Sequence, residues 1–427
     1  MKKIGLTFFL IGFLVSGLIA QTTFDKYFIE KSLRIDYFNI GDVKEQIIAL
    51  DEIREEPFWG GNKINLIDKF YYGNYRFEVI DAVSNKIIYS KGYSTLFSEW
   101  LTTAEAKQVR RAFSETLTFP FPKNKVNVNL YKRNELNNFD LVFTFHVDPS
   151  SPFIKKDRRN VFKAAKVYDG GNSNEKVDIV IVPDGYTETE MPKFRKDAER
   201  FGTLLFGSTP YKENRNNFNI WYVEAPSKES GTDIPRDGIY RSTAANSSFY
   251  TFDVERYCMV EDNKTLRDLA ANAPYDLIYV LVNSDKYGGG AIYNHYSVAV
   301  NDNEWEEYLI VHEFGHGFAG LGDEYYTSEV AYEEFYKAGI EPWEPNLTTL
   351  TNFEKKWKPL VKSETPIPTP SEELNNKIVG VFEGGGYVPK GVYRPMLDCS
   401  MKSKTVDNFC VVCKDAIQRM IDYYCDR

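Results

Sequence analysis

Glu304–Tyr326, EWEEYLIVHEFGHGFAGLGDEYY, is the stretch from which the rest of this 427-residue chain is read. Trp305, Leu309, His312 and His316 recur at steps of three and four residues, so they share one face of a helix. His312, Glu313 and His316 form a His-Glu-x-x-His arrangement. It sets two imidazoles one helical turn apart, where both reach one metal ion with Glu313 beside them as a base. Gly317, Gly320 and Gly322 make continued helix costly and predict a sharp turn. Asp323 and Glu324 follow that turn. A catalytic zinc ion takes three protein ligands and leaves a fourth position for water. His312, His316 and Asp323 are the expected three, with Glu324 as the alternative to Asp323. The competing reading is a buried helix with hydrogen-bonded histidines, followed by acids in a solvated loop.

The chemistry of such a set follows from charge. Zinc acts as a Lewis acid and lowers the pKa of its water toward roughly 7. Glu313 is then the general base and later the proton donor to the departing amine. Tyr393 or Tyr325 is a candidate donor to the oxyanion.

Outward from this helix, the second half alternates strands and helices. Val177–Val182, Asn219–Glu224 and Asp276–Val282 read as strands, and residues 192–206 and Thr265–Ala271 as helices. This order predicts a mixed α/β sheet. Ser363–Ser371, SETPIPTPS, is proline-spaced and expected to be extended on the surface. A last helix, Cys410–Tyr424, carries Val412, Ala416, Met420 and Tyr423 toward a core.

HEFGHGFAGLGDEY resembles the active-site segment of the IgA peptidase family, secreted metzincin-like zinc metallopeptidases. The ordinary metzincin pattern has its glycine three residues past the second histidine and its third ligand three later. Here Gly320 and Asp323 each lie one place further on, and the ligand is acidic. DGYTETE (Asp184–Glu190), SKESGTDIPRDG (Ser227–Gly238) and VGVFEGGGYVPKGVYRPMLDCSMKS (Val379–Ser403) are similar to the same family, as are the Thr95–Pro122 and Val126–Asn134 segments. The resemblance implies a zincin-type catalytic domain with a methionine turn beneath the ligands, best matched by Met401 and next by Met396. It also implies an edge strand that binds extended substrate, for which Gly288–His295 is the candidate. The Ser227–Gly238 loop is expected at the cleft rim.

The first half shows no such chemistry. Leu33, Ile35 and Tyr37 alternate, as do Tyr75, Phe77 and Val79, then Val126, Val128 and Leu130, then Leu141, Phe143, Phe145 and Val147. An antiparallel β-sandwich is expected, interrupted by one helix near Thr103–Phe113 with Thr102 and Glu105 at capping-box spacing. His146 reads as a surface histidine. Pro149–Pro152 and the basic run Lys155–Asn160 read as a solvated linker. The expected organisation is a signal peptide at 1–20, an N-terminal domain and linker at 21–160, and a catalytic domain at 161–427, α+β overall.

Lys2 and Lys3 followed by the apolar run Ile4–Ala20 have the form of a secretory signal, cleaved after Ala20. No later stretch is apolar enough to cross a bilayer, so an exported, soluble product is expected. The net charge of -9 argues against nucleic-acid binding. Four of the five cysteines fall in the last thirty residues, which suggests one or two local disulfides. Cys410-Val-Val-Cys413 has the alternative readings of a second zinc site or a redox pair.

The functional expectation is an exported zinc endopeptidase acting on protein or glycoprotein, with zinc as its one cofactor. The alternatives are an adhesin or glycan-binding protein on an inactive zincin scaffold, and hydrolysis of glycopeptide or cell-wall amide bonds. Oligomeric state, substrate and cleavage site are not legible in the sequence.

Overall fold

The computed structural model describes residues 23–326, 336–337, 339–406 and 408–425. The expected signal segment lies outside the described residues. The fold is mixed α+β, with more strand than helix.

The alternating segments of the first half form seven strands: β1 (Phe28–Gly41), β2 (Gln46–Glu56), β3 (Tyr75–Asp81), β4 (Ile87–Tyr93), β5 (Arg111–Pro122), β6 (Val126–Arg133) and β7 (Phe139–Val147). They pair antiparallel in two sheets, β2-β1-β5 and β4-β3-β6-β7. Every second side chain turns inward, so Leu33, Ile35 and Tyr37 meet Phe77, Val79, Val128 and Leu130 in one apolar core. His146 is exposed and its Nδ1 lies 2.8 Å from Asn127 Oδ1.

The expected helix at Thr103–Phe113 is displaced. A five-residue helix spans Leu96–Trp100, capped by the Thr95 hydroxyl, and Glu105–Lys107 is a single 3-10 turn. Phe113 is instead paired with Asn39 in the sheet, and this ladder outweighs the local capping signal.

The second half is built on a six-stranded sheet. Its strands are β8 (Ala164–Tyr168), β9 (Val177–Asp184), β10 (Phe218–Val223), β13 (Leu277–Val282), β14 (Gly289–Ile292) and β15 (Tyr296–Val300), in the order β14-β15-β13-β9-β10-β8. A short ribbon, β11 (Ser247–Ser248) with β12 (Met259–Val260), and a hairpin, β16 (Phe382–Gly385) with β17 (Val388–Arg394), complete the strands. The four inner strands run parallel and the two edges antiparallel. Every residue of β9 and β13 is buried, which is why Ile179–Val182 and Leu277–Val282 read as continuous apolar runs rather than alternating ones. Helices Met191–Leu205, Glu306–Ala319 and Val411–Tyr424 pack here. In the last of them Tyr424, rather than Tyr423, is buried against the core.

The halves are joined through helix Asn263–Ala270, which contacts both β5 and β9. The buried Arg34 of β1 holds Asp36 and Asp268 at 2.8 Å and Glu56 at 3.3 Å. Removing one partner of such a buried pair costs about 3–5 kcal/mol, because a charge is left without compensation. The basic run is solvent-exposed at Lys155, Lys156 and Arg158, while its Arg159 is tied to both halves, reaching Glu52 at 2.6 Å and Asp268 at 2.9 Å. Leu96, Phe97, Trp100 and Phe113 also cross over, packing in the core of the second half.

Candidate active site

The helix Glu306–Ala319 carries His312, Glu313 and His316. Of the three glycines expected to end it, Gly317 stays within the helix and Gly320 stops it, with a φ of 64°, left-handed backbone that a side chain disfavours. The chain turns back at once. The Leu321 carbonyl accepts from His316 Nδ1 at 2.5 Å, and the Ser400 carbonyl lies 2.9 Å from His312 Nδ1. With each Nδ1 given to a backbone carbonyl, both Nε2 lone pairs face one point, 3.1 Å apart.

Asp323 completes that point. Its Oδ1 lies 3.1 Å from His312 Nε2 and 3.3 Å from His316 Nε2. Yet Oδ1 is buried and makes no hydrogen bond of proper geometry. Such an arrangement fits a cation better than a proton network. Tetrahedral zinc with bonds of about 2.0–2.1 Å would space two nitrogens about 3.3 Å apart. The electrostatics agree. Burial pushes the His316 imidazole down, but the Asp323 carboxylate outweighs it and lifts the group to about 9. Burial raises Asp323, and the facing imidazoles more than reverse this, holding it well below the usual carboxylate range. The site attracts positive charge to its centre. Burial also raises Glu313, an effect the two histidines partly offset.

Glu324 does not share this point. It is fully buried on the other side of the turn, with Oε1 accepting from Asn346 at 3.0 Å. Asp323 and Glu324 are consecutive and face opposite ways, so the alternative third ligand is spatially separated from the histidines.

The group opens on a cavity of about 130 Å³, lined by His312, Glu313, His316, Asp323, Tyr325 and Tyr387, with Asn74, Ser94 and Glu99 contributed from the first half. Tyr387, which no sequence signal singled out, donates to Asp323 Oδ2 at 2.6 Å. Its φ of 69° is unusual for a bulky residue and marks stored strain. The β16–β17 turn is docked on the ligand segment, with Gly386 N donating to Asp323 O at 2.8 Å and Tyr387 N to Tyr325 O at 3.0 Å. Tyr325 lines the cavity beside Arg256, whose Nη2 donates to its hydroxyl at 3.3 Å; Tyr393 does not line it.

Met401 is fully buried, its sulfur against Gly315 of the helix, whereas Met396 is only partly buried. Two expectations change, and His295 takes a place that the sequence left open. His295 turns into the core, with Nε2 3.0 Å from Glu115 and Nδ1 2.7 Å from Arg267. The Gly288–His295 segment does supply an edge strand, and Gly289, Gly290 and Ala291 line the cavity, but Gly289 is already paired with the Arg256–Cys258 backbone. A side chain at Gly290 would strike Met259 and Tyr257, so that glycine serves packing within the chain. The Ser227–Gly238 loop does not line the cavity. It packs at Gly185, while the buried Asp184 accepts hydrogen bonds from the Ala245 and Ser247 amides.

Among the described residues no helix is long and apolar enough to cross a membrane. No disulfide joins the cysteines among the described residues, so the expected local disulfides are not formed. The family model described as IgA Peptidase M64 matches residues 165–377 and 371–421, and the model of the peptidase M64 N-terminus matches residues 23–144. No curated protein matches the chain.

Proposed function

The chain belongs to the IgA peptidase M64 family and is a metallopeptidase, and from this we propose that it is an exported zinc endopeptidase acting on protein or glycoprotein. The observation that carries the proposal is the convergence of His312 Nε2, His316 Nε2 and Asp323 Oδ1 within 3.3 Å of one another at the floor of a cavity. These three would hold the ion, and their borderline nitrogen and oxygen donors suit zinc. When bound, it supplies Lewis-acid polarisation of a peptide carbonyl and an acidified water.

The chain's own residues do the rest. Glu313 takes the proton of the attacking water and returns one to the amine nitrogen as the carbon–nitrogen bond breaks. Its raised pKa suits a group that must both accept and release a proton near neutrality. Tyr387 fixes Asp323. Tyr325, held by Arg256, is the candidate donor to the developing oxyanion. Asn74, Ser94 and Glu99 give the N-terminal sheets a part in contacting substrate.

The same assignment covers the architecture. A β-sandwich domain at 21–160, with its two sheets around one core, precedes a zincin-like domain at 161–427, and residues 1–20 direct export. The test is hydrolysis of a broad panel of peptides and glycoproteins by the purified chain. Activity abolished by a chelator, restored by zinc and absent in His316→Ala is the expected result. A metal-free chain that hydrolyses nothing when zinc is added, yet binds glycans, would make it a binding protein instead.

A further inference from the structure

Behind the histidine site lies a second convergence of donor groups, in which Glu324 and Cys399 join the Cys410-Val-Val-Cys413 pair that the sequence offered as a zinc or redox site. The ligand atoms of Glu324, Cys399, Cys410 and Cys413 all lie within 4.8 Å of one another, and all four residues are buried. The Cys399 and Cys413 sulfurs are 3.8 Å apart, and Cys413 Sγ is 3.2 Å from Glu324 Oε1. A disulfide requires about 2.05 Å between sulfurs, whereas a tetrahedral zinc ion with bonds of about 2.3 Å spaces them about 3.8 Å apart. We propose that Glu324, Cys399, Cys410 and Cys413 form a structural site for a thiophilic divalent cation, with zinc as the expected occupant.

Three further observations support the assignment. Glu324 is fully buried, and its Oε2 has no hydrogen-bond partner. A lone buried carboxylate oxygen is costly unless something satisfies it. Backbone amides also point at the sulfurs: Cys410 N donates to Cys399 Sγ at 3.1 Å and Cys413 N to Cys410 Sγ at 3.5 Å. Finally, Cys410 caps the fourteen-residue helix Val411–Tyr424, so the pair sits at the positive end of a helix dipole that favours thiolates. Three thiolates and a carboxylate around a divalent ion leave the same net charge as a four-cysteine site.

The position explains what such a site would do. Cys399 begins the Cys399–Met401 segment, whose Ser400 carbonyl meets His312 Nδ1 and whose Met401 carbonyl accepts from Glu324 N at 2.8 Å. A closed ion here would pin that segment against both the catalytic helix and the turn bearing Asp323. The soft, enclosed donor set favours a structural role, while the histidine set faces the cavity.

The experiment uses the full chain purified without chelator, first by elemental analysis and then after exchange to cobalt. Two metal ions per chain are expected, falling to one in the His312→Ala, His316→Ala double variant. That double variant, loaded with cobalt, should keep the near-ultraviolet thiolate-to-cobalt absorption, and Cys410→Ser should lose it. The double variant carries the decision even if Cys410→Ser does not fold, because no thiol lies in the histidine site. Absence of thiolate absorption in the cobalt form, or a Cys399–Cys413 disulfide in chain purified without reductant, overturns the proposal. One ion per chain with thiolate absorption that survives the histidine changes would keep this site and sink the catalytic one.

Discussion

Two donor clusters stand back to back across a single turn, and Asp323 and Glu324, neighbours in sequence, belong one to each. The histidine–aspartate cluster opens on a cavity, and its outer atoms are tied to backbone carbonyls and Tyr387. The cysteine–glutamate cluster is closed on every side. In the roles proposed for them, one needs room for substrate and water and the other needs none. Accessibility separates a reacting centre from a fastening more cleanly than residue type does, because both sets can satisfy a divalent ion.

The sharpest way to break this contrast is at Glu313, the acid that lines the cavity from the same helix as His312 and His316 without belonging to either cluster. Glu313→Gln should lower peptide hydrolysis by about 10²–10⁴-fold with metal content unchanged; equal activity would remove its role as base. Next in size, Cys410→Ser should lower the unfolding midpoint. An ion at about 1,000 times its dissociation constant contributes about 4 kcal/mol. A midpoint equal to that of the parent would mean that no ion fastens this region. A smaller effect is expected at Tyr387→Phe, which removes a hydrogen bond to a charged group, about 1.5–3 kcal/mol. Metal affinity should fall by about tenfold, read by chelator competition, while fold and thiolate absorption stay as they were.

The last contrast sets His295 beside the site histidines. His295 and His312 are buried and His316 is half-buried, but His295 faces Glu115 and Arg267 rather than an open cavity. Burial pushes Glu115 from 4.5 up to about 8, with only partial relief from the Phe97 amide and Arg267. Its folded pKa lies above its unfolded one, so the folded state binds the extra proton and stability falls as pH rises from about 4.5 to about 8. His295, held neutral by burial and Arg267, works in the opposite direction below 6.5. The decline should therefore be clearest between about 6.5 and about 8. Glu115→Gln should gain stability relative to the parent across that window, measured by guanidinium midpoints; parallel curves would show that Glu115 is ionised throughout.

Much of the fold was legible because it rests on local patterns. Period-two alternation gave β1, β3, β6 and β7, and short apolar runs gave β9 and β13. The Thr103–Phe113 helix was misplaced because a capping pattern is a weak local signal, overridden when residues 111–113 joined β1. The fate of the Gly288–Gly290 run was hidden for a related reason. Its partners, Phe249, Arg256, Tyr257 and Met259, arrive from elsewhere in the chain.

The sequence alone determined the helix that carries His312, Glu313 and His316 and a stop among Gly317, Gly320 and Gly322, because 3.6-residue periodicity and glycine backbone freedom act over a few residues. Only the tertiary structure decided that Asp323 meets the imidazoles while Glu324 turns to the cysteines. It also brought Tyr387, 64 residues from Asp323, onto that carboxylate and the Ser400 carbonyl, 88 residues from His312, onto the imidazole. Contacts of that span are selected by packing of the whole core against the entropy of closing long loops, and no local pattern encodes them.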